Sequence, residues 1–207
     1  REVEGEGVES SIKSLCMIGI EGVKKWFDRE SKAPVKPIGL EEKLMATLGD
    51  DLVFTGKYDK TELVNEKDKS VRVVDYKTGK PDDHVKDIIN GLKDGVELAS
   101  DECDGYLRQL VAYKLLFERD KRRKEGYKVT KGKLVFVEPA KTNAIYADLK
   151  IGEYRDLDVE LTDDMVVELE SVIKDVRRRV KKLDFKKLPK RDEKKCGWCD
   201  FNDICWG

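Results

Sequence analysis

The chain has a single histidine, His84, in 207 residues. A zinc site of mixed Cys/His type is therefore not expected, since His84 lies far in sequence from the cysteine-rich end. Neither sign of charge is in excess: 42 Lys and Arg stand against 43 Asp and Glu, a net charge of -1. That excludes a uniformly basic, histone-like binder but leaves room for a local basic groove. No apolar run approaches the ~20 residues needed to cross a bilayer, so no membrane partner is expected. No secretory leader is visible, and the cysteine count is odd, at five. Together these disfavour a disulfide framework and favour a metal site in a cytoplasmic, intracellular protein. There is no internal repeat and no low-complexity block. What is present is 39% hydrophobic residues, enough for one modest core with a small appendage.

Hydrophobic periodicity predicts the elements in order. A helix is expected over 8–30, where Ile12, Cys16, Ile20, Val23 and Phe27 recur at helical spacing. A strand is read over 39–48 and another over 52–59, joined by a turn at Gly49-Asp50-Asp51. A hairpin follows, with Asn65 to Lys69 as its polar turn and a β-branched run, Val71 to Lys77, as its second strand. Residues 82–104 read as a long polar connection with a short helix at 85–92. Asp104 caps a helix over 105–120; strands are read at 133–138 and 144–151, with an extended piece at 154–161. Thr162 then caps a long helix whose stripe is Val166, Leu169, Val172 or Ile173, Val176, Val180 and Leu183. The fold class is α/β, with a mixed, largely antiparallel sheet flanked by helices. One strand–helix–strand crossover between Val71 and Val137 can supply a parallel, right-handed pair.

Two clusters carry chemistry. The hairpin sets Asp59 on one strand against Asp75 and Lys77 on its neighbour, and residues i and i+2 of a strand share a face. Closely placed carboxylates repel, and a divalent cation relieves that repulsion. On the 105–120 helix, Gln109 and Tyr113 are i and i+4 on one face and can hydrogen-bond a phosphate or stack on a base. The second cluster is Cys196-x2-Cys199-x5-Cys205, three thiols within reach of one metal or cluster. A fourth ligand would come from Cys16, from Cys103 or from upstream of Arg1. Lys114, Arg119, Arg122, Arg123 and Lys124 suggest a basic groove beside Gln109.

The ordered set Gly56-x-x-Asp59, Asp75-Tyr76-Lys77-Thr78-Gly79, Gln109-x3-Tyr113 and Cys196-x2-Cys199-x5-Cys205 resembles the RecB-type branch of the PD-(D/E)xK nucleases, in the subgroup that carries an iron–sulfur cluster. Within that branch it looks most like the nuclease domain of UvrD/AddB-like helicases; CRISPR-associated RecB-like nucleases and exonuclease V share the plan. The resemblance implies a restriction-endonuclease-like core over 38–188, an N-terminal helical segment over 1–37 and a cysteine tail over 189–207. It implies that Asp59 and Asp75, with the Tyr76 carbonyl, ligate Mg²⁺ or Mn²⁺. Lys77 would orient the attacking water, and Glu41 would match a family carboxylate near the metal, with Glu42 its rival. Gln109 and Tyr113 would hold DNA. A 4Fe–4S cluster would sit on Cys196, Cys199, Cys205 and Cys16, with Cys103 a free thiol. The first helix lacks the histidine ligand many relatives place there, and Glu9 or Glu21 would have to substitute. His84 reads as a loop residue outside catalysis.

The function this implies is a metal-dependent deoxyribonuclease: a single-strand-preferring exonuclease of DNA repair, joined to a helicase motor in the same chain or complex. The alternatives are a nuclease-like module that grips DNA without cutting it, and a free-standing CRISPR-adaptation nuclease.

Overall fold

The computed structural model describes all residues except 1, 2, 33, 34, 50, 80, 123–125, 141–151, 155, 185 and 186, and no side chains at 3–12, 82, 83 and 194. The strand expected at 144–151 and the cations Arg123 and Lys124 lie outside the described residues, as does the Glu9 side chain. Two compact units divide the chain, Arg1–Val172 and Ile173–Gly207. Among the described residues, no helix is long and apolar enough to cross a membrane.

The first unit is built on a five-stranded sheet in the order β1-β4-β5-β6-β7, with a separate two-stranded ribbon, β2-β3. Here β1 is Pro37–Leu40, β2 Lys43–Leu48, β3 Leu52–Lys57, β4 Lys60–Asn65, β5 Ser70–Lys77, β6 Lys128–Phe136 and β7 Asp156–Glu160. Helix α1 runs Val3–Lys32, α2 Asp82–Asp94, α3 Gly105–Arg119 and α4 Asp163–Lys181. The sheet is mixed as expected: β5 and β6 are parallel, and every other pair is antiparallel. Val71 and Val73 of β5 and Leu134 and Phe136 of β6 are fully buried. A strand this hydrophobic suits the centre of a sheet covered on both sides.

Three expectations needed correction. The single strand read over 39–48 is two strands in different sheets: β1 pairs with β4, and β2 pairs with β3. The chain changes sheets at Glu41, which takes φ 52°, a left-handed conformation uncommon outside glycine that periodicity cannot reveal. The connection at 82–104 is mostly structured. α2 fills thirteen residues of it, ending at Gly95 with φ 66°. Arg108 ties down the rest of the connection, donating to the carbonyls of Leu98, Ser100 and Cys103. Of the described cations expected in a basic groove, Lys114 does not reach the surface. Lys114 is buried against Glu118, Asp163 and the Val129 carbonyl, Arg119 pairs with Glu170, and Arg122 with Asp120. Lys114 closes a gap inside the fold, whereas the Arg119 and Arg122 side chains stay exposed.

The two faces of β5 are covered by different helices. α3 lies against β5 and β6, and also against β2 and β3, where Leu44, Ala46 and Leu48 point inward. Gly56 packs closely there: a Cβ would come within 2.6 Å of Leu116 Cδ1, which would have to shift. The other face carries Tyr76, whose ring meets Trp26 of α1 edge-on at 5.6 Å. On the same side Lys60, Glu62 and Arg72 form a buried ion network, joined by Glu30 of α1. α1 can approach closely because Gly22 faces the Val137 carbonyl, where a Cβ would sit 2.6 Å from the oxygen. Gly22→Ala therefore sets a helix-propensity gain of about 1 kcal/mol against a backbone clash costing about 2–3 kcal/mol. Thermal unfolding should show a lower Tm; an unchanged or raised Tm would show that α1 does not pack so closely.

In the second unit the helix stripe loses its cover. Val166 and Leu169 are buried in the first half of α4, but Val176, Val180 and Leu183 are exposed. Thr162 does cap the helix, its Oγ1 accepting from the Met165 amide at 3.2 Å. Two short helices complete the unit, α5 Glu193–Cys196 and α6 Asn202–Trp206, and Lys187 Nζ lies 4.2 Å from the Trp206 ring centroid.

Candidate functional site

The β4–β5 hairpin forms as the polar turn predicts, with Lys69 at φ 55° closing it. Its register pairs Lys60 with Val74, so Asp59, the residue before β4, comes level with Asp75 and Tyr76. Asp59 stands in the connection between β3 and β4, not on a strand. Its Oδ2 accepts the Tyr76 amide proton at 2.7 Å. Burial pushes the Asp59 carboxyl upward, opposed by that amide and aided by the charges of Asp75 and Glu41.

Asp75 and Lys77 share the face of β5 covered by α3. Asp75 is 3% exposed. Its Oδ1 accepts from the Tyr113 hydroxyl at 2.9 Å and from Gln109 Nε2 at 3.2 Å. Its Oδ2 has no hydrogen-bond partner among the described residues, although Lys77 Nζ lies against it as an ion pair. Lys77 also donates to Gln109 Oε1 at 2.6 Å, and Gln109 Nε2 reaches the Tyr113 oxygen at 2.7 Å. Gln109 and Tyr113 thus turn inward, onto the carboxylate and the ammonium. Burial, with the Asp75 charge beside it, drives the Tyr113 phenol well above its ordinary range, so it stays a neutral donor.

The structure therefore brings together Asp59, Asp75, Lys77, the Tyr76 backbone, Gln109 and Tyr113. Glu41 arrives differently. Its amide donates to the Asp59 carbonyl at 2.8 Å, but its carboxylate is exposed and paired with Lys57. Glu42 points elsewhere, accepting from the buried Tyr58 hydroxyl at 2.6 Å. It lines a cleft of about 730 Å³ shared with Lys36, Lys43, Phe117 and Arg122.

A divalent cation suits this donor set. Among the described residues, Asp75 Oδ2 is buried with no hydrogen bond beyond its ion pair with Lys77, and two carboxylates and a carbonyl are the hard oxygen ligands that Mg²⁺ and Mn²⁺ take. The cysteines fit their expected cluster less well. Cys196 is buried, Cys205 half-buried, and Cys199 and Cys16 exposed, and all are free thiols. A turn bonds the Cys199 amide to the Cys196 carbonyl at 3.2 Å. Among the described residues, however, no three or more Cys, His, Asp or Glu side chains gather as a metal site. Cys103 is free as expected, and burial raises its thiol pKa.

Two residues beside the site escaped the sequence reading. His84 is not in a loop but near the start of α2, its Nδ1 2.8 Å from Asp104 Oδ2. Its ring stacks on Tyr106 at 4.1 Å between centroids, and Tyr106 in turn lies 4.0 Å from Lys77 Nζ. The available signal was a lone histidine upstream of a helix cap, which is weak without knowing that α2 and α3 pack together.

No curated protein matches the chain. The solved structure described as "Crystal structure of SSO0001" aligns with all of this chain and 74% of its own, at 15% identity and a TM-score of 0.43. The family model of the PD-(D/E)XK nuclease superfamily matches residues 14–206. That span takes in the mixed sheet flanked by helices and the acidic and lysine side chains at the ends of β4 and β5, and the chain belongs to the PD-(D/E)XK nuclease superfamily.

Proposed function

We propose that this chain is a metal-dependent deoxyribonuclease of the RecB type that hydrolyses phosphodiester bonds at Asp59, Asp75 and Lys77. The observation that carries the reading is the convergence of two acids and an ammonium, with Asp75 Oδ2 buried and lacking a hydrogen-bond partner. Asp59, Asp75 and the Tyr76 carbonyl would hold Mg²⁺ or Mn²⁺. When bound, such an ion neutralises charge on the phosphoryl group and activates water. Lys77 orients the attacking water and offsets the negative charge that grows on the phosphoryl oxygens. Gln109 and Tyr113 fix Asp75 and Lys77, so both are set before substrate arrives. Glu41, whose own amide meets the Asp59 carbonyl, contributes through its charge.

The preferred substrate is single-stranded DNA, taken from its end, with a helicase motor in the same chain or complex. The test is degradation of end-labelled single- and double-stranded oligonucleotides. Cleavage should need Mg²⁺ or Mn²⁺, stop in excess EDTA, return on adding metal back, and favour the single strand. Equal, metal-independent turnover of both would overturn the reading.

The tail reading is narrower. We propose that Cys196, Cys199 and Cys205 hold a 4Fe–4S cluster with Cys16, on the strength of their spacing and the Cys196–Cys199 turn. Protein purified without oxygen should absorb near 400 nm, and Cys199→Ser should remove that band. A colourless, iron-free protein would refute it.

A further inference from the structure

Among the described residues, three groups of different kinds face the Lys77 ammonium. Asp75 Oδ2 and Gln109 Oε1 engage its ammonium as anion and acceptor. The third is the Tyr106 ring, 4.0 Å from Nζ. An ammonium has three N–H donors. A third oxygen acceptor would take the last of them, whereas a ring face attracts the charge without binding one directionally. The aromatic neighbour thus holds the cation and leaves a donor for water or phosphate.

The ring is itself held. His84 stacks on it at 4.1 Å with the planes 34° apart. Asp104 anchors both partners: its Oδ2 lies 2.8 Å from His84 Nδ1, and its Oδ1 accepts the Tyr106 amide at 2.7 Å as the cap of α3. One carboxylate therefore sets the start of α3 and the pitch of His84, and through them the plane of Tyr106. We propose that Tyr106, backed by His84 and Asp104, is a positioning residue for Lys77, confining a flexible side chain to the geometry hydrolysis needs. This rests on the nuclease reading of Asp75 and Lys77. Confinement matters because a lysine stem has four rotatable carbons, and small displacements of a reacting group are costly in rate.

The test uses the full chain, with Tyr106→Leu, Tyr106→Phe and His84→Ala beside wild type and Lys77→Ala. In protein labelled with ¹³C-lysine, the Lys77 Cε resonance is the one missing from Lys77→Ala. It should lie upfield of the other lysines because of the ring. The displacement should vanish in Tyr106→Leu, persist in Tyr106→Phe and shrink in His84→Ala. On a single-stranded oligonucleotide, Tyr106→Leu should lower kcat about tenfold with KM within about twofold, and Tyr106→Phe should restore the rate. If Tyr106→Leu does not fold, His84→Ala carries both readouts. A Lys77 resonance at the ordinary lysine position in wild type overturns the proposal. If wild type cuts DNA, Lys77→Ala does not, and Tyr106→Leu cuts like wild type, the positioning role alone falls. If wild type cuts nothing, the nuclease reading falls and takes this one with it.

Discussion

Asp75→Asn is expected to lower DNA cleavage by at least about 10³-fold while the chain stays folded. The size follows from the geometry of the carboxylate. Oδ1 is committed to Tyr113 and Gln109, whereas Oδ2 carries only the Lys77 ion pair among the described residues and is the oxygen we propose for the metal. Asn keeps an acceptor for Tyr113 but presents a neutral amide where a negative ligand is required. Losing a metal ligand is worth several kcal/mol of transition-state stabilisation, and about 4 kcal/mol is about 10³ in rate. Two stability effects oppose each other: Lys77 loses its anion, and Asp59 loses a like charge. The Tm should therefore move by only a few degrees, and DNA binding in Ca²⁺ should persist. Lys77→Met is the companion variant. It keeps the stem, removes the charge, and should lose activity without losing binding. Cleavage by Asp75→Asn within tenfold of wild type would show that the reactive centre lies elsewhere.

The second large effect concerns stability. Glu62 is 2% exposed in the main sheet, with Lys60 at 2.6 Å on one oxygen and Arg72 at 2.9 and 2.6 Å on the other. Burial would raise its pKa, but the hydrogen bonds and charges of Lys60 and Arg72 outweigh burial and hold it below the usual carboxylate range. Glu62→Ala removes the anion that bridges two cations beneath α1, leaving Lys60 with Glu30 and Arg72 with Asp158, and should cost about 3 kcal/mol. The pH dependence has its origin in the same shift. A depressed folded-state pKa means the unfolded chain takes up the proton first as pH falls. The contribution is complete above the unfolded value near 4.5 and is lost as pH drops through the folded one. Acid unfolding of wild type should therefore steepen below pH 4.5, and Glu62→Ala should flatten that limb. A loss under 1 kcal/mol in urea titrations would show that the network is compensated by solvent.

The particular elements divide sharply in how far they could be read. The β4–β5 hairpin, the capped α3 and the α4 start were legible because their signals are local: a polar turn, an Asp before a helical stripe, a Thr three residues before the amide it accepts from. The break at Glu41 was not, because a strand's alternation continues across it while the partner strand changes. Lys114 of α3 misled for a related reason. Lys114 looks like a solvent-facing cation in sequence, and only the approach of β6 and α4 makes it a buried link.

The roles of Gln109 and Tyr113 show where local reasoning stops. Their shared helix face was readable from i, i+4 spacing, but the sheet they meet was not, and they meet Asp75 and Lys77. His84 passed for loop decoration until α2 came to rest beside the cap of α3. Residue order alone decided that Asp75 and Lys77 point the same way, because residues at period two on a strand share a face whatever surrounds them. Only packing decided which side chains hold them there, because contacts between helices and sheet join residues tens of positions apart, and no local pattern records that distance.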